Sequence, residues 1–395
     1  MKTINVRSLL GLLLLFSACT GKQTTDSDEA GYVNILKDCP VVAQYKMIGN
    51  DSVLVCDINA MKDEIEVPFS SLLSSYEIVP LDTCRESLCA PKYGEVTVSK
   101  NYLCVISGEE NSPVRLFDRK TGKYLRQIGN IGQGPTEYTT IYQIQIEEDS
   151  NRVFILSGFP SRVLQYNLST GEYEKNYKLL FKSAKKVYCD VKAGEIIVLG
   201  FPRPNYPAET YCFWKQTFDG ELIQGLSGNE QLGCSYHNRG SGYIDDRSNS
   251  YQVSLWDTTE IKQDTLYHYD LKENRLVPRF TVEWIDKVPT HYYIELSHYY
   301  YCETSDKNNF QYLIHKRTGK GAKIKLKMDI FEKDSDLGNL RYMNYNSYGV
   351  TCLFDPVQLA DILQQKNQQK TIAGKMMDPD SLENENSWVF IGKWN

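Results

Sequence analysis

Short apolar runs alternate with polar turns along most of this chain. Five segments repeat one plan: a strand, a Gly- or Asn-centred turn, and a second strand. They read LFDRKTGKYLRQIG (116–129), LQYNLSTGEYEKNYKL (164–179), WKQTFDGELIQGL (214–226), LYHYDLKENRLVPRFTV (266–282) and YLIHKRTGKGAKIKL (312–326). Their turn residues are Gly122, Gly171, Gly220, Asn274 and Gly319, at steps of 49, 49, 54 and 45 residues. A hairpin recurring at that interval predicts a β-propeller with one sheet per repeat.

A second polar turn precedes each hairpin: Ser99-Lys100-Asn101, Asp149-Ser150-Asn151, Lys192-Ala193-Gly194, Arg247-Ser248-Asn249 and Lys307-Asn308-Asn309. Each leads into a β-rich run such as YLCVIS or RVFILSG, so each repeat holds a four-stranded meander. The blades are expected at 94–129, 142–180, 187–226, 243–283 and 294–327. Three strand-like runs remain, YEIVPL (76–81), YGVTCLF (348–354) and WVFIGKW (388–394). A sixth blade shared by both ends would use them and hide the strand edges of an open ring. The expected fold is therefore all-β: a six-bladed β-propeller over 60–395, with four-stranded antiparallel blades closed by N- and C-terminal strands. Helix is expected outside the ring after Asp355-Pro356, where an N-cap residue precedes Pro at the first helical position, as far as about Lys370. One short turn is expected at 70–75.

The first residues read as a targeting signal. Lys2 and Arg7 are basic, and the apolar run 9–16 is eight residues long. That falls short of the ~20 needed to span a bilayer. Phe16-Ser17-Ala18-Cys19 resembles the lipobox of bacterial lipoproteins, which implies cleavage before Cys19 and lipidation of its thiol. An ordinary secretory signal with an incidental cysteine is the plainer alternative. Residues 1–19 are thus read as signal peptide and lipobox, and 20–59 as a tether and N-terminal segment. The stretch TGKQTTDSDEAG (20–31) has no large apolar residue to bury. Its acidic part resembles an export signal of surface lipoproteins, and a plain linker explains it equally well.

Net charge is −6 with no basic stripe, so nucleic acid is not an expected partner. Ten cysteines follow Cys19 at irregular spacing without a CxxC. Cys84 and Cys89 are close enough for a local disulfide in an oxidising compartment, or are unpaired thiols. Cys56, Cys104, Cys189, Cys212 and Cys352 sit in apolar runs and read as small core residues.

The run RQIGNIGQGPTEY (126–138) is more particular than a generic blade. With Leu116-Phe117-Asp118, Gly122-Lys123-Tyr124, YEIVPLDT (76–83) and 386–393, it resembles a family of six-bladed β-propeller lipoproteins from Bacteroidetes. NHL-like propellers are the nearest broader relatives by this pattern. The resemblance spans about 70–395 and implies a propeller fold and export, without a defined biochemical role.

Within GQGPTEY, Gly132 and Gly134 permit positive φ and Pro135 fixes the chain direction. A tight crossover between blades is the favoured reading, with Gly134 structural and Glu137 and Tyr138 bonding the crossover itself. The sharper reading gives the run to an anion or sugar hydroxyl, with Gln133, Glu137 and Tyr138 as ligand contacts. The five histidines lack mutual ligand spacing. The calcium-like start Asp334-Ser335-Asp336 lacks a carboxylate at its twelfth position, Tyr345, so no metal or cofactor is expected. Asp245-Asp246 and Glu147-Glu148-Asp149 fall at turns, and no G-x-S-x-G elbow occurs, so no catalytic residue is assigned. Tyrosine is abundant, with 28 residues, and is read first as sheet packing and second as a stacking surface.

These readings converge on a lipid-anchored envelope protein, at the outer membrane on its periplasmic or surface side. It is expected as a monomer that binds a glycan, a peptide or an envelope protein. The alternative is a carbohydrate-active hydrolase or lyase with its groups gathered in the propeller channel.

Overall fold

The computed structural model describes residues 34–91, 94–108, 111–158, 161–182, 184–200, 211–227, 238–243, 250–255, 265–284, 288–289, 291–304, 309–330, 343–345, 349–355, 371–372, 375–376 and 385–395. The N-terminal part contributes β1 (Ala43–Ile48), β2 (Asp51–Asp57), β3 (Glu64–Pro68) and β4 (Leu73–Pro80). Blade one holds β5 (Glu95–Val98), β6 (Tyr102–Ile106), β7 (Val114–Asp118) and β8 (Tyr124–Ile128). Blade two holds β9 (Ile141–Glu147), β10 (Arg152–Ser157), β11 (Arg162–Asn167) and β12 (Tyr173–Lys178). Blade three holds β13 (Ala184–Asp190), β14 (Glu195–Gly200), β15 (Tyr211–Thr217) and β16 (Leu222–Ser227). Blade four is built on β17 (Asn238–Tyr243), β18 (Ser250–Leu255), β19 (Thr265–Asp270) and β20 (Arg275–Glu283). Blade five is built on β21 (His291–Glu295), β22 (Tyr299–Thr304), β23 (Gln311–His315) and β24 (Gly321–Lys327). Blade six takes β25 (Asn344–Tyr345) and β26 (Gly349–Phe354); the two-stranded β27 (Thr371–Ile372) and β28 (Lys375–Met376) form a separate ribbon, and β29 (Trp388–Trp394) follows.

The protein is an all-β, six-bladed propeller of four-stranded antiparallel blades. Blade six runs β25-β26-β29-β4, so the last strand of the chain lies between β26 and an N-terminal strand. Gly392 is opposite Tyr76, and Trp388 opposite Pro80. Trp388, Val389 and Phe390 of β29 are buried, as is Val79 of β4.

The N-terminal segment does more than close blade six. β2 pairs in parallel with β20 and carries β1 on its other side, giving blade four a six-stranded sheet. β3 pairs in parallel with β24, giving blade five a fifth strand. Residues 43–80 therefore run as a strap across the outer edges of three consecutive blades. Its first strands lie ahead of residue 60, where the sequence pattern alone starts the ring. The short turn expected at 70–75 is a 3-10 turn at Phe69–Leu72, after which the chain is already β4. The helix expected after Pro356, the loop 334–339 and Asp245-Asp246 lie outside the described residues.

All five hairpin turn residues have positive φ, from +49° at Asn274 to +91° at Gly220. Side chains other than Asn and Asp adopt that conformation at a cost, which explains the choice of residue. The turns also dock on the preceding sheet. Gly129 N–H donates to the Gly171 carbonyl at 2.9 Å, Asp82 N–H to that of Gly122 at 2.9 Å, and Ala43 N–H to that of Gly319 at 2.9 Å. A Cβ at Gly122, Gly171 or Gly319 would collide with the carbonyl oxygen of Pro80, Gln127 or Ala43. Asn274 uses its side-chain amide instead, donating to the Gly225 carbonyl at 3.0 Å. The repeat seen in the sequence is thus a repeated joint between blades. Separate apolar clusters fill the interfaces, such as Val153, Leu164 and Tyr138 between blades one and two.

Candidate binding site at the channel mouth

The first strands of the blades are the sheet edges that approach one another around the axis, β5 beside β9 and β9 beside β13. An edge strand presents backbone groups that need partners. Between blades two and three, glutamine side chains supply them. Val187 N–H donates to Gln143 Oε1 at 2.8 Å, and Gln143 Nε2 donates to the Val187 carbonyl at 2.8 Å. Gln145 repeats the exchange with Cys189, at 2.8 and 3.0 Å. On the other side of blade one, Thr351 Oγ1 donates to the Val96 carbonyl at 3.1 Å.

Two of these inner strands are bulged at the same level. The β9–β10 register shifts between Leu156 and Ser157, which leaves Tyr142 as the extra residue. The β13–β14 register shifts between Ala184 and Lys186, which leaves Lys185 as the extra residue. Bulges re-aim neighbouring side chains. Here Ala184 and Val187, three apart, both pack into the core between blades two and three. The bulge residues meet, with Lys185 Nζ 4.7 Å from the centre of the Tyr142 ring.

Lys186, next to the bulge, and Glu95, at the start of β5, carry opposite charges at this end of the inner strands. Among the described residues neither side chain makes a hydrogen bond or an ion pair. Glu95 has a water-accessible side chain, yet burial raises its pKa, with Lys186 pulling the other way. Lys186 is partly accessible, and burial lowers its pKa against the opposing pull of Glu95. Each feels the other's field without touching it.

The crossover 129–140 reaches the same end of blade two. It is a packed joint. Tyr138 is fully buried; its hydroxyl donates to the Ile128 carbonyl at 2.7 Å and accepts from Val114 N–H at 2.9 Å. Burial pushes that hydroxyl up to about 12. The Tyr138 ring meets Tyr166 edge-on at 6.1 Å. Arg162 clamps the loop by donating to the carbonyls of Gly134 and Glu137 at 2.9 and 2.7 Å. The Glu137 carboxylate accepts from Gly134 N–H at 2.9 Å. Gln133 alone of the three expected contacts is exposed and unbonded among the described residues. Neither Gly132 nor Gly134 uses the positive φ that glycine permits. The glycines matter because a Cβ at Gly132 would overlap the Glu137 carboxylate, and one at Gly134 would stand 2.9 Å from Oε2.

No disulfide joins Cys84 to Cys89, so of the two readings the sequence leaves open the structure shows the one without a bridge. Their loop is held otherwise: Ser87 Oγ accepts from Cys84 N–H at 2.9 Å, and Asn386 Oδ1 accepts from Cys89 N–H at 2.9 Å. Cys56, Cys104, Cys189, Cys212 and Cys352 are buried, as the apolar runs suggest. Tyr293, Tyr299, Tyr300 and Tyr301 are buried in blade five, and Tyr300 stacks on Phe280 at 4.4 Å. A charged joint between blades four and five has no sequence signal: Glu295 accepts from His268 Nε2 at 2.5 Å and from Lys316 Nζ at 2.8 Å. Lys316 Nζ also lies 5.0 Å from the centre of the Tyr300 ring.

A family model described as a domain of unknown function, DUF4934, matches residues 53–393. The chain belongs to the DUF4934 family. This DUF4934 ring is similar in fold to a Bacteroides fragilis protein named for presumed export, at 16% identity and a TM-score of 0.57, over 84% of this chain and 98% of that one. A DUF4221 member from Bacteroides vulgatus aligns at 12% identity, over 81% and 96% of the two chains, with a TM-score of 0.46. No curated protein matches in sequence. The DUF4934 match begins at Val53, inside β2, and so includes part of the strap as well as the blades.

Proposed function

We propose that this protein is a binding or scaffold module of the cell envelope, which holds a glycan, a peptide or a partner protein at the channel mouth. The observation that carries this reading is the Glu95–Lys186 pair. Glu95 is exposed and Lys186 part-exposed, and neither side chain has a hydrogen-bond or ion-pair partner among the described residues, which leaves two opposite charges available to a ligand. Export and lipid attachment through Cys19 complete the proposal. They are supported by the ordered signal ending at Cys19 and by the presumed export of the similar Bacteroides fragilis protein. NHL-like kinship remains part of this reading. A Cys19→Ala variant that still fractionates with membranes and takes up lipid label would refute the anchor. The ligand is sought with a glycan and envelope-peptide binding screen on the full chain in detergent, with product analysis on every hit. The expected outcome is binding weakened by Glu95→Gln or Lys186→Met, with the ligand recovered intact.

One observation favours a second reading, a carbohydrate-active hydrolase or lyase. A carboxyl that burial raises, as in Glu95, holds its proton to higher pH and suits general acid chemistry. Ligand turnover abolished by Glu95→Gln would establish that reading over simple binding.

A further inference from the structure

Nine large apolar side chains are exposed among the described residues, and four of them, Val41, Tyr45, Met47 and Ile48, fall within one run of eight residues. The run leads into the β1–β2 hairpin. β1 is the outermost strand of the blade-four sheet, paired there with β2 alone. Residues 44–50 are all exposed, and a Cβ at Gly49 in the turn would meet nothing within 4 Å, so the tip stands clear of the ring. It is nonetheless held in place. The Tyr45 hydroxyl donates to the Lys316 carbonyl at 3.1 Å, Lys46 pairs with Glu283 at 2.7 Å, and Arg275 pairs with Asp51 at 2.8 Å.

Strand alternation puts Tyr45 and Met47 on the same face as Ala43. On that face Ala43, and Leu54 opposite Tyr45, enter the core between blades four and five. Tyr45 and Met47 continue the row beyond the core into solvent. Ile48 lies on the other face and is exposed as well. A protein partner laid on the sheet would use one face, whereas a projecting tip that is apolar on both faces suits a medium that surrounds it. Lys320, bridged through its backbone to Val41, and the exposed Arg317 in the same turn flank the row, with Asp38 opposing them. Apolar tips beside Tyr and long basic side chains match the layering of a lipid interface. The ring's own chain starts beside this patch: Ile35 N–H donates to the Tyr299 hydroxyl of blade five at 3.2 Å, six residues before Val41. Residues 20–34 separate Cys19 from Ile35. Even fully extended they span at most ~50 Å.

Resting on the Cys19 anchor proposed above, we propose that the β1–β2 hairpin is a second membrane contact. Met47 and Ile48 enter the boundary of the acyl chains, Tyr45 sits at headgroup depth, and Arg317 and Lys320 reach toward lipid phosphates. A lipid on Cys19 keeps the ring near the bilayer without choosing which side of it faces the lipid. The hairpin makes that choice, setting the outer edge of blade four on the surface and so fixing how the channel mouth is presented.

The test reconstitutes the full chain into phosphatidylcholine vesicles whose acyl chains carry bromine, a contact quencher of tryptophan. Flotation of the vesicles scores the anchor, and quenching scores the hairpin. Met47→Trp is the reporter, and Leu222→Trp, at another exposed apolar position on blade three, is the control; both are read against the wild-type signal. The Met47→Trp chain should lose roughly half or more of its added emission, as expected for a side chain below the headgroups, and the Leu222→Trp chain none. A Tyr45→Trp reporter should be quenched too, and adding Met47→Ser with Ile48→Ser should remove that quenching while the melting temperature stays put. A chain that floats with Met47→Trp quenched no more than Leu222→Trp would overturn the contact and leave the anchor standing. A chain that does not float refutes the anchor, and this contact with it. An unquenched Met47→Trp with doubled mass would also overturn the inference and give the β1 edge to a second copy.

Discussion

Blades one to three each take four strands from one continuous stretch of chain, whereas blades four to six are completed by strands from residues 43–80. The continuous half carries both charges of the candidate site, Glu95 and Lys186. The composite half carries the closure of the ring. Its added strands pair in parallel at β2–β20 and β3–β24 and antiparallel at β29–β4. The division separates two tasks. Short-range hairpins fix the geometry of the mouth, and long-range pairing decides whether there is a ring at all. Changes in the composite half should therefore act on global stability, while changes in the continuous half can act on binding alone.

The sharpest way to break this comparison is to remove β29. Truncation before Trp388 deletes the strand between β26 and β4 and exposes both edges. It should cost more than about 5 kcal/mol, comparable to the whole stability of many domains, and yield insoluble protein. A truncated chain with an unchanged melting temperature would show that closure does not depend on the shared blade.

The next effect compares two glycines with similar φ, +65° at Gly319 and +63° at Gly49. A Cβ at Gly319 would collide with the Ala43 carbonyl of the strap, whereas one at Gly49 meets nothing within 4 Å. Gly49→Ala should cost about 1 kcal/mol of backbone strain, and Gly319→Ala roughly 3 kcal/mol or more, as measured by chemical denaturation. Equal losses would mean that the strap is not held at that joint.

The third test uses acid. Burial alone would raise the Glu295 carboxyl, but its hydrogen bond from His268 and the charge of Lys316 hold it at about 2, against an ordinary 4.5. Because the folded value is depressed, its contribution is fully present above about pH 4.5 and is lost as pH falls toward 2. Burial also lowers the Lys316 ammonium, despite the neighbouring carboxylate, which offsets part of the gain. A net contribution of roughly 1–3 kcal/mol is expected, at ~1.4 kcal/mol per pKa unit. Glu295→Gln should lower stability at neutral pH and flatten the acid limb of the melting profile. A parallel, undiminished limb would remove Glu295 as its source.

The smallest effect is at the crossover. Gly134→Val should cost under about 1 kcal/mol if the Glu137 side chain swings away, since the backbone there carries no positive φ. A larger loss would mean that the Glu137–Gly134 bond holds the whole loop.

The continuous half was legible because its signals are local. Gly122, Gly171, Gly220 and their equivalents stand where φ must be positive, and the alternating runs around them become the strands. The strap was not legible as such. DSVLVCD and EIEVP are plausible strands, yet parallel partners more than 200 residues away leave no turn between them to read. GQGPTEY was visible as a special segment, but sequence could not tell how it packs; the buried Tyr138 and the Arg162 clamp show that it is held as a joint. Glu95 and Lys186 each look like an ordinary strand charge. They become neighbours only when three blades bend around one axis, and no spacing in the chain encodes that.

The strap also dictates an order of assembly. Strands β2, β3 and β4 are made early, but their partners β20, β24 and β29 emerge more than 200 residues later. Blades one to three can fold as they appear, with Leu54, Val55 and Val67 still waiting for the surfaces that will bury them. Native pairing across such separations is slow, because loop closure precedes any gain in contacts. Until then β2, β3 and β4 lack the blade edges that bury their apolar side chains. A premature stop that spares five intact blades still leaves β4 without β29, an open strand edge that makes the polypeptide a substrate for chaperones or proteases.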